Sequence, residues 1–351
     1  MKGMTLVKMG DKPIGRGYPC IISFEPGATY TNFEEATQMI SAASSAGADA
    51  IKFQTLITGD ADRLMGFKDI KIDFTTTTGK KQELVYDALK RRELPKNSWK
   101  KLVEFSKKLN VLFITTPEFL ESIDFLVEIG VDALKISKGD INNVLLIEKA
   151  AKTGLPIILD GREKFEDVDK AIKICESNGN NQIVIMHCPS GYPAENSGIH
   201  LSAITAIQEK YDYPVGFADH SPGDMMNYAA VALGASMLEK TITTDKTIEH
   251  VEHFMSLELN QLKSFIQNIR SVEKAIGNPS ILEVSRVEEN ARRSFVAKNY
   301  IKKGEKISRE NLDFKRPGHA GISVAEGYTI LGKKASKDIL KDIFLQWDML
   351  E

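Results

Sequence analysis

Cysteine is scarce in this chain of 351 residues, which contains only Cys20, Cys175 and Cys188. An odd number of cysteines without CxxC spacing argues against a disulfide framework and against a structural zinc site. Long apolar runs are also missing, since no window approaches the roughly 18 residues of a membrane-spanning helix. No apolar run follows Lys2 and Lys8, so no secretory signal is expected. These absences predict a cytoplasmic protein without membrane contacts.

An excess of one charge is absent as well. The chain has 46 Lys and Arg residues against 48 Asp and Glu residues, and its net charge is −2. This balance argues against a protein that binds mainly nucleic acid or anionic membranes. The hydrophobic share of 42% is sufficient for a large core. Because a single α/β barrel uses about 200–250 residues, we expect one large domain and one small domain.

Short apolar segments alternate with helix-length segments between about residues 18 and 280, a pattern that is typical of a parallel sheet. The predicted strands are Cys20–Phe24, Ala50–Phe53, Val111–Thr115, Ala133–Ile136, Pro156–Leu159, Ile183–His187, Pro214–Phe217 and Ser236–Lys240. Several are apolar throughout, which favours a closed TIM (β/α)8 barrel over an open sheet. The segment from Gln54 to Pro95 is too long for a plain loop and predicts a hairpin or excursion over the barrel top.

The character of the sequence changes after residue 278. We predict a barrel domain over residues 1–278, a linker over residues 279–292 and a small domain with short strands over residues 293–351.

Polar side chains follow the predicted strands, at the barrel end where active sites lie. The set comprises Glu25, Lys52, Gln54, Thr115, Thr116, Lys135, Ser137, Lys138, Asp140, Asp160, Arg162, His187, Ser190, Tyr192, Asp219, His220, Glu239 and Lys240. Charged groups converging on one mouth must be paired or ligated, and they suit a small anion together with a metal ion. A purely structural network of ion pairs is the alternative.

Three histidines and one cysteine near the predicted mouth each have a functional and an ordinary structural interpretation. His220 stands beside a carboxylate and could ligate a divalent metal, or it could simply form hydrogen bonds. The His250 and His253 spacing suits metal ligands or an exposed helix or loop. Cys188 is interpreted as a small buried residue rather than a nucleophile, because nothing in the sequence indicates a lowered thiol pKa.

Seven segments occur in an order that we recognise. They are AGADAIKFQT, FITTPEF, LKISKGDINN, HCPSGYPA, VGFADHS, ALGASMLEKTIT and KRPGHAG. Together they resemble the sialic acid synthase family, which includes the N-acetylneuraminate, pseudaminate and legionaminate synthases. The resemblance spans nearly the whole chain and implies that the C-terminal part is an antifreeze-like (SAF, β-clip) domain.

The resemblance implies a metal-dependent condensation of phosphoenolpyruvate with an N-acylated hexosamine, which yields a nonulosonic acid and phosphate. The candidate catalytic residues are Glu25, Lys135, Asp140 and Glu239. The candidate substrate-binding residues are Lys52, Gln54, Thr116, Lys138, Arg162, Ser190, Tyr192, Glu252 and Arg316. Arg316 matches an arginine that the family delivers across a domain-swapped homodimer to the N-acyl group of the sugar.

The chain also departs from the family pattern. PGATYTN stands where GxNHxG is usual, and Thr241 stands where a second metal-binding histidine is usual, so that only His220 remains. The resemblance still implies Mn²⁺ or Mg²⁺, with the second protein ligand open. Lys138, Asp160, Ser190 and Ala218 replace small polar residues near the phosphate. Lys138 and Arg162 could bind phosphate, whereas Asp160 would oppose it.

Two alternatives follow from these departures. One is a lyase or isomerase that acts on a related sugar acid without phosphoenolpyruvate. The other is a non-catalytic protein that binds a sugar phosphate, which the retained Glu25, Lys52 and Glu239 make the weaker hypothesis.

Overall fold

A computed structural model describes residues 5–161, 165–277 and 285–351. Eight parallel strands close into a barrel, because the eighth strand pairs with both the first and the seventh. We number the barrel strands one to eight in chain order: Ile21–Glu25, Ala50–Gln54, Leu112–Thr116, Ala133–Ile136, Ile157–Asp160, Ile183–His187, Val215–Asp219 and Met237–Thr243. The predicted TIM barrel is therefore confirmed.

The strands differ from the predicted segments mainly at their ends. Strands five and seven begin after Pro156 and Pro214, because proline has no N–H to donate to the ladder. Most strands also continue into the polar residues that follow the apolar segment, as at Glu25 and Gln54. These side chains are therefore held by the barrel ladder rather than by loops.

Helices cover the outside of the barrel, and their apolar faces form one large core with the outward side chains of the strands. The helices of the barrel unit are Phe33–Ala46, Asp60–Leu64, Val85–Lys90, Lys96–Lys108, Leu120–Ile129, Val144–Ala151, Phe165–Ser177, Asn196–Ile199, Ser202–Lys210, Met225–Ala232 and Leu262–Ile276. None of the helices in the described ranges is long and apolar enough to cross a bilayer.

A hairpin that the sequence analysis did not predict precedes the barrel. Its strands are Val7–Met9 and Lys12–Ile14. Val7, Met9 and Ile14 pack against the inward side chains of the barrel strands, among them Ile21 and Met237. The hairpin thus contributes to the apolar interior of the barrel.

The excursion between barrel strands two and three contains the predicted hairpin, with strands Lys71–Thr76 and Gly79–Leu84. A small apolar cluster joins it to the loops that follow other barrel strands, through contacts among Phe74, Ala28 and Val251. Backbone bonding adds to this contact, since Thr75 N donates to Tyr192 O at 3.1 Å. The excursion therefore braces loops at the barrel mouth.

The chain divides into two compact units, Met1–Gly277 and Asn278–Glu351. The second unit has the antiparallel strands Ser294–Ala297 and Leu312–Lys315 and its own apolar core, which includes Phe295, Ile307 and Leu345. A helix, Arg286–Ala291, lies within the segment predicted as a linker, and a short helix spans Gly327–Ile330.

Candidate active site

The alternation of side chains along the barrel strands sets the composition of the barrel interior. The lower inward positions are apolar, as at Ala50 and Met237, and belong to one interior cluster. Two residues further along strands two, four and eight the inward position is ionisable, as at Lys52 and Glu239. Strand one reaches its ionisable residue, Glu25, only at its last position. The barrel mouth is therefore charged because these four strands place ionisable residues above their lower inward side chains.

A cavity of about 400 Å³ occupies this mouth. It is lined by Glu25, Lys52, Gln54, Lys135, Ser137, Lys138, Gly139, Asp160, Cys188, Tyr192, His220, Glu239 and Glu252. The four carboxylates and three ammonium groups nearly balance, so the cavity can hold a small ligand that carries both charged and polar groups.

Two buried ion pairs organise the centre of the cavity. Lys52 Nζ contacts Glu25 Oε1, and Lys135 Nζ contacts Glu239 Oε1. Lys52 Nζ also lies 4.0 Å from Glu239 Oε1, so that the four groups form one network. All four side chains are nearly inaccessible to solvent. In such surroundings each charge depends on its neighbours, because the loss of one partner leaves a buried charge uncompensated.

The network holds Lys135 and Glu25 in their charged forms. Burial opposes ionisation of Glu25, but the Lys52 and Lys135 ammonium groups keep the pKa of Glu25 below its usual value. Burial likewise opposes the charge on Lys135, yet Glu239 and Glu25 raise the pKa of Lys135 above its usual value. The cavity therefore presents permanent positive charge to an anionic ligand at neutral pH.

The pKa of Glu252, unlike that of Glu25, is raised above its usual value. Burial, and then the negative charge of Glu25, raise the pKa of Glu252 to about 7, against the opposing charges of Arg92 and Lys52. Its backbone lies in the left-handed region, with φ of 74°. Such a conformation costs energy in a residue with a side chain and often marks a functional position. A carboxyl group with this pKa can donate or accept a proton near neutrality.

His220 and Tyr192 form one wall of the cavity. Their ring centroids lie 5.2 Å apart, and Ala194 N donates to His220 O at 2.9 Å. The loop after strand six is thus attached to the end of strand seven. His220, the candidate metal ligand, and Tyr192, a candidate sugar-binding residue, consequently lie on the same side of the cavity.

Several predicted residues are not among those that line the cavity. Asp140 lies half-buried in a short 3₁₀ turn, where its Oδ1 accepts from Asn143 Nδ2 at 2.8 Å. Thr116 is buried at the end of strand three, and Ser190 is exposed in the loop after strand six. Arg162 lies outside the described residues. Arg316 is exposed in the second unit, directly after the strand Leu312–Lys315.

Asp219 and Lys240, which the sequence analysis grouped with the mouth, lie on the other face of the barrel wall. Lys240 Nζ contacts Asp219 Oδ2 at 2.7 Å, and neither side chain is accessible to solvent. Asn227, on a helix outside the barrel, also donates to Asp219 Oδ2. The pair therefore joins strands seven and eight to that helix and is structural.

Two ionisable residues near the mouth were missed by the sequence analysis. Arg92 is buried after the helix Val85–Lys90 in the excursion, and Glu118 is half-buried after strand three. Burial, followed by the charge of Asp140, raises the pKa of Glu118 to about 7, although Arg92 and Lys52 oppose the shift. Arg92 lies in a long excursion rather than at a strand end, and only the unusual length of that segment indicated its importance.

The donor atoms at the mouth bear on the divalent metal that the resemblance implies. Glu239 Oε2 and Thr241 Oγ1 are buried and have no hydrogen-bond partner among the described residues. Within that same part of the chain, no three His, Cys, Asp or Glu side chains are grouped to hold a metal ion. One imidazole, one carboxylate oxygen and one hydroxyl fit a hard ion such as Mg²⁺ or Mn²⁺, which retains bound water, better than an ion that requires several imidazoles.

Comparisons with known proteins agree with the fold. The NeuB family model matches residues 39–280, and the SAF domain model matches residues 292–351. An uncharacterized protein of Methanocaldococcus jannaschii is 36% identical over 99% of both chains. The N,N'-diacetyllegionaminic acid synthase of Legionella pneumophila is 32% identical over 97% of this chain and 98% of that protein.

A solved structure provides the same assignment. The N-acetylneuraminic acid synthetase of Leptospira borgpetersenii has a TM-score of 0.71 and 30% identity, over 83% of this chain and 96% of that one. The chain therefore belongs to the NeuB family of sialic acid synthase-type enzymes, and its C-terminal unit is a SAF domain.

Proposed function

We propose that this enzyme condenses phosphoenolpyruvate with an N-acylated hexosamine to form a nonulosonic acid and phosphate. The observation that carries the proposal is the buried Glu25, Lys52, Lys135 and Glu239 network inside the mouth cavity of a NeuB-family barrel. Two fixed ammonium groups that are shielded from solvent suit the carboxylate and phosphate of phosphoenolpyruvate. The relatives named above as synthases of sialic-type acids support the same chemistry.

The reaction joins C3 of phosphoenolpyruvate to the aldehyde carbon of the open-chain sugar. Water then adds at C2, and the C2–O bond breaks as phosphate departs, which leaves a 2-keto-3-deoxy acid. Lys52 and Lys135 would bind the anionic groups and hold them in register with the aldehyde. Glu252, whose pKa is raised to about 7, is suited to donate a hydrogen bond or proton to a sugar oxygen.

A divalent ion bound at His220 and Glu239 would supply Lewis-acid polarisation of the sugar aldehyde. We expect His220→Ala to weaken Mn²⁺ binding by at least about tenfold, since even the loss of a residue that only orients a ligand costs that much. Electron paramagnetic resonance of free Mn²⁺ measures the affinity without any turnover. His319→Ala, which changes an exposed histidine of the SAF domain, is the matched control. Equal affinity of wild type and His220→Ala would remove His220 from the metal site.

The resemblance also implies a domain-swapped homodimer in which Arg316 reaches the sugar. We expect Arg316→Ala to raise the KM of the sugar far more than that of phosphoenolpyruvate. In a swapped dimer, mixing Arg316→Ala subunits, assayed at sugar concentrations below their raised KM, with inactive Lys135→Met subunits would create one site with both wild-type residues. Partial recovery of activity on mixing is therefore expected. Equal changes in both KM values, or no recovery on mixing, would contradict the swapped role.

The test of the proposed function is an incubation of the purified protein with phosphoenolpyruvate and a panel of N-acylated hexosamines. We expect phosphate release that depends on one of the sugars, together with a keto acid whose mass equals the sum of both substrates and water less phosphate. In ¹⁸O-labelled water the label should enter the keto acid rather than the phosphate, because the C2–O bond breaks.

One observation favours a second candidate. Asp160 is a buried carboxylate that lines the cavity near the expected phosphate position, where it repels an anion. This arrangement suits a lyase or isomerase whose substrate is a sugar acid without phosphate. Carbon–carbon cleavage or isomerisation of such an acid, in the absence of phosphoenolpyruvate, would support it and would overturn the condensation.

A further inference from the structure

Arg92 is a buried cation that bonds mainly to neutral acceptors. Its Nε donates to Ala88 O at 3.0 Å, and its Nη1 donates to Gly27 O at 3.1 Å and to Gln54 Oε1 at 2.9 Å. The side chain is 5% exposed. Removing a guanidinium group from water is costly unless its donors are satisfied, so the three bonds hold the group in one orientation.

The bond to Gln54 determines which end of that amide faces the cavity. A guanidinium group has only donors, so the atom of Gln54 that faces Arg92 must be the oxygen. The amide NH₂ is then the group that Gln54 has left for a ligand. Since Gln54 lines the mouth cavity, this end of the cavity presents a donor to an oxygen of the ligand.

The bond to Gly27 acts on a second cavity residue, Glu252, through a single peptide unit. The C=O of Gly27 and the N–H of Ala28 belong to the same planar group and point in opposite directions. Arg92 holds the C=O, and Ala28 N donates to Glu252 Oε2 at 2.5 Å. The orientation of this peptide therefore determines whether the carboxyl group of Glu252 has its backbone donor.

The close approach of Glu252 to this peptide requires glycine at position 27. A Cβ atom on Gly27 would lie 2.1 Å from Glu252 Oε2, and Gly27 has φ of +51°. Both the space and the backbone conformation are thus specific to glycine. The contact is built into the loop after strand one.

We propose that Arg92 is a positioning residue that fixes the Gln54 amide and the Glu252 carboxyl group for binding of the sugar. The inference rests on the proposed function for the identity of the ligand, and it assigns the two groups to oxygen atoms of a hydroxylated or N-acylated substrate. Arg92 itself is not among the residues that line the cavity and acts through Gln54 and the Gly27–Ala28 peptide.

Other residues of the excursion also hold the backbone beside Glu252. Glu83 Oε1 accepts from Val251 N at 2.8 Å, next to Glu252, and Arg91 pairs with Glu83 at 2.7 Å. The excursion therefore holds Glu252 through the backbone on one side and, by way of Arg92, through its carboxyl group on the other.

A kinetic comparison of Arg92→Met, Arg92→Lys and Lys90→Met tests the inference. Lys90 is an exposed lysine of the same excursion that pairs with exposed Asp62 and with the largely buried Glu93, so it is the matched control. We expect Arg92→Met to raise the KM of the sugar by about tenfold or more and to change that of phosphoenolpyruvate by less than about twofold. Arg92→Lys should recover part of the loss, and Lys90→Met should match the wild type. Equal increases in both KM values would overturn the inference.

Crystal structures of the wild type and Arg92→Met give a readout that needs no turnover. We expect the Gly27–Ala28 peptide to rotate, the bond from Ala28 N to Glu252 to be lost and the Gln54 amide to turn. Unchanged geometry would overturn the positioning role. If the wild type fails to condense phosphoenolpyruvate with any sugar, the proposed function fails, but these structures still decide the role of Arg92. Should Arg92→Met not fold, Arg92→Lys replaces it, because one ammonium group cannot reproduce the forked contacts.

Discussion

Replacing Lys135 by methionine is expected to abolish turnover while the protein still folds. Lys135 is buried at the centre of the mouth cavity and contacts Glu239. Methionine retains most of the apolar stem but lacks the positive charge that would face the anionic substrate. Removing one such preorganised electrostatic contact typically lowers kcat by about 10²–10³-fold, and we expect a loss at the upper end of this range.

The expected loss can be measured by steady-state kinetics, with circular dichroism and thermal melting as checks on the fold. In the wild type Lys52 Nζ lies 4.0 Å from Glu239 Oε1, so we expect Glu239 to keep one nearby cation in the variant. Calorimetry should show weaker binding of phosphoenolpyruvate to the variant than to the wild type. Kinetics like those of the wild type would remove Lys135 from the site.

Lys240→Met, in contrast to Lys135→Met, is expected to cause a large loss of stability. Burial lowers the pKa of Lys240, although Asp219 opposes the shift, which shows how strongly the lysine depends on this partner. Without the ammonium group, Asp219 would remain as an uncompensated buried charge. Breaking such a pair by removing one partner costs about 3–5 kcal/mol in the free energy of unfolding.

Urea denaturation of the wild type and the variant measures this difference, and the double variant Asp219→Asn/Lys240→Met is the control. Asparagine is uncharged and can still accept a hydrogen bond from Ser221 N, which donates to Asp219 Oδ1 at 2.8 Å. The double variant should therefore recover at least about half of the lost stability, since removing both charges is much less costly than removing one. A loss below about 1 kcal/mol in Lys240→Met would contradict the structural role.

The contrast between Lys135 and Lys240 shows that a position near the end of a strand does not by itself indicate which face of the strand the side chain lies on. Both lysines lie in or near the last residues of a barrel strand, and both were grouped with the mouth. Side chains alternate between the two faces of a strand, so Glu239 faces the cavity and Lys240 faces the surrounding helices. The alternation of Met237, Glu239 and Thr241 with Leu238 and Lys240 is visible in the sequence once the strand is placed, and this signal was available.

Arg92 had no comparable signal, whereas Glu118 lies within the quoted segment FITTPEF, just after strand three. The contacts of Arg92 join Gly27 to Gln54, which come from different loops and strands, and Arg92 itself follows 38 residues after Gln54 in the chain. Periodicity describes neighbours within one element and does not describe where an excursion returns to the barrel. The N-terminal hairpin was missed for a different reason. Its two strands are only three residues each, which is too short for an alternating pattern to be recognised.

The barrel, the excursion hairpin, the small C-terminal unit and the family could all be predicted from the order of residues along the chain. These follow from the order of apolar segments, from glycine and proline positions and from short motifs, all of which act over a few residues. The ion pairs of Lys52 with Glu25 and of Lys135 with Glu239, and the raised pKa of Glu252, became visible only in the folded chain. Burial and pairing depend on contacts between residues that are distant in the chain, and closure of the barrel creates those contacts.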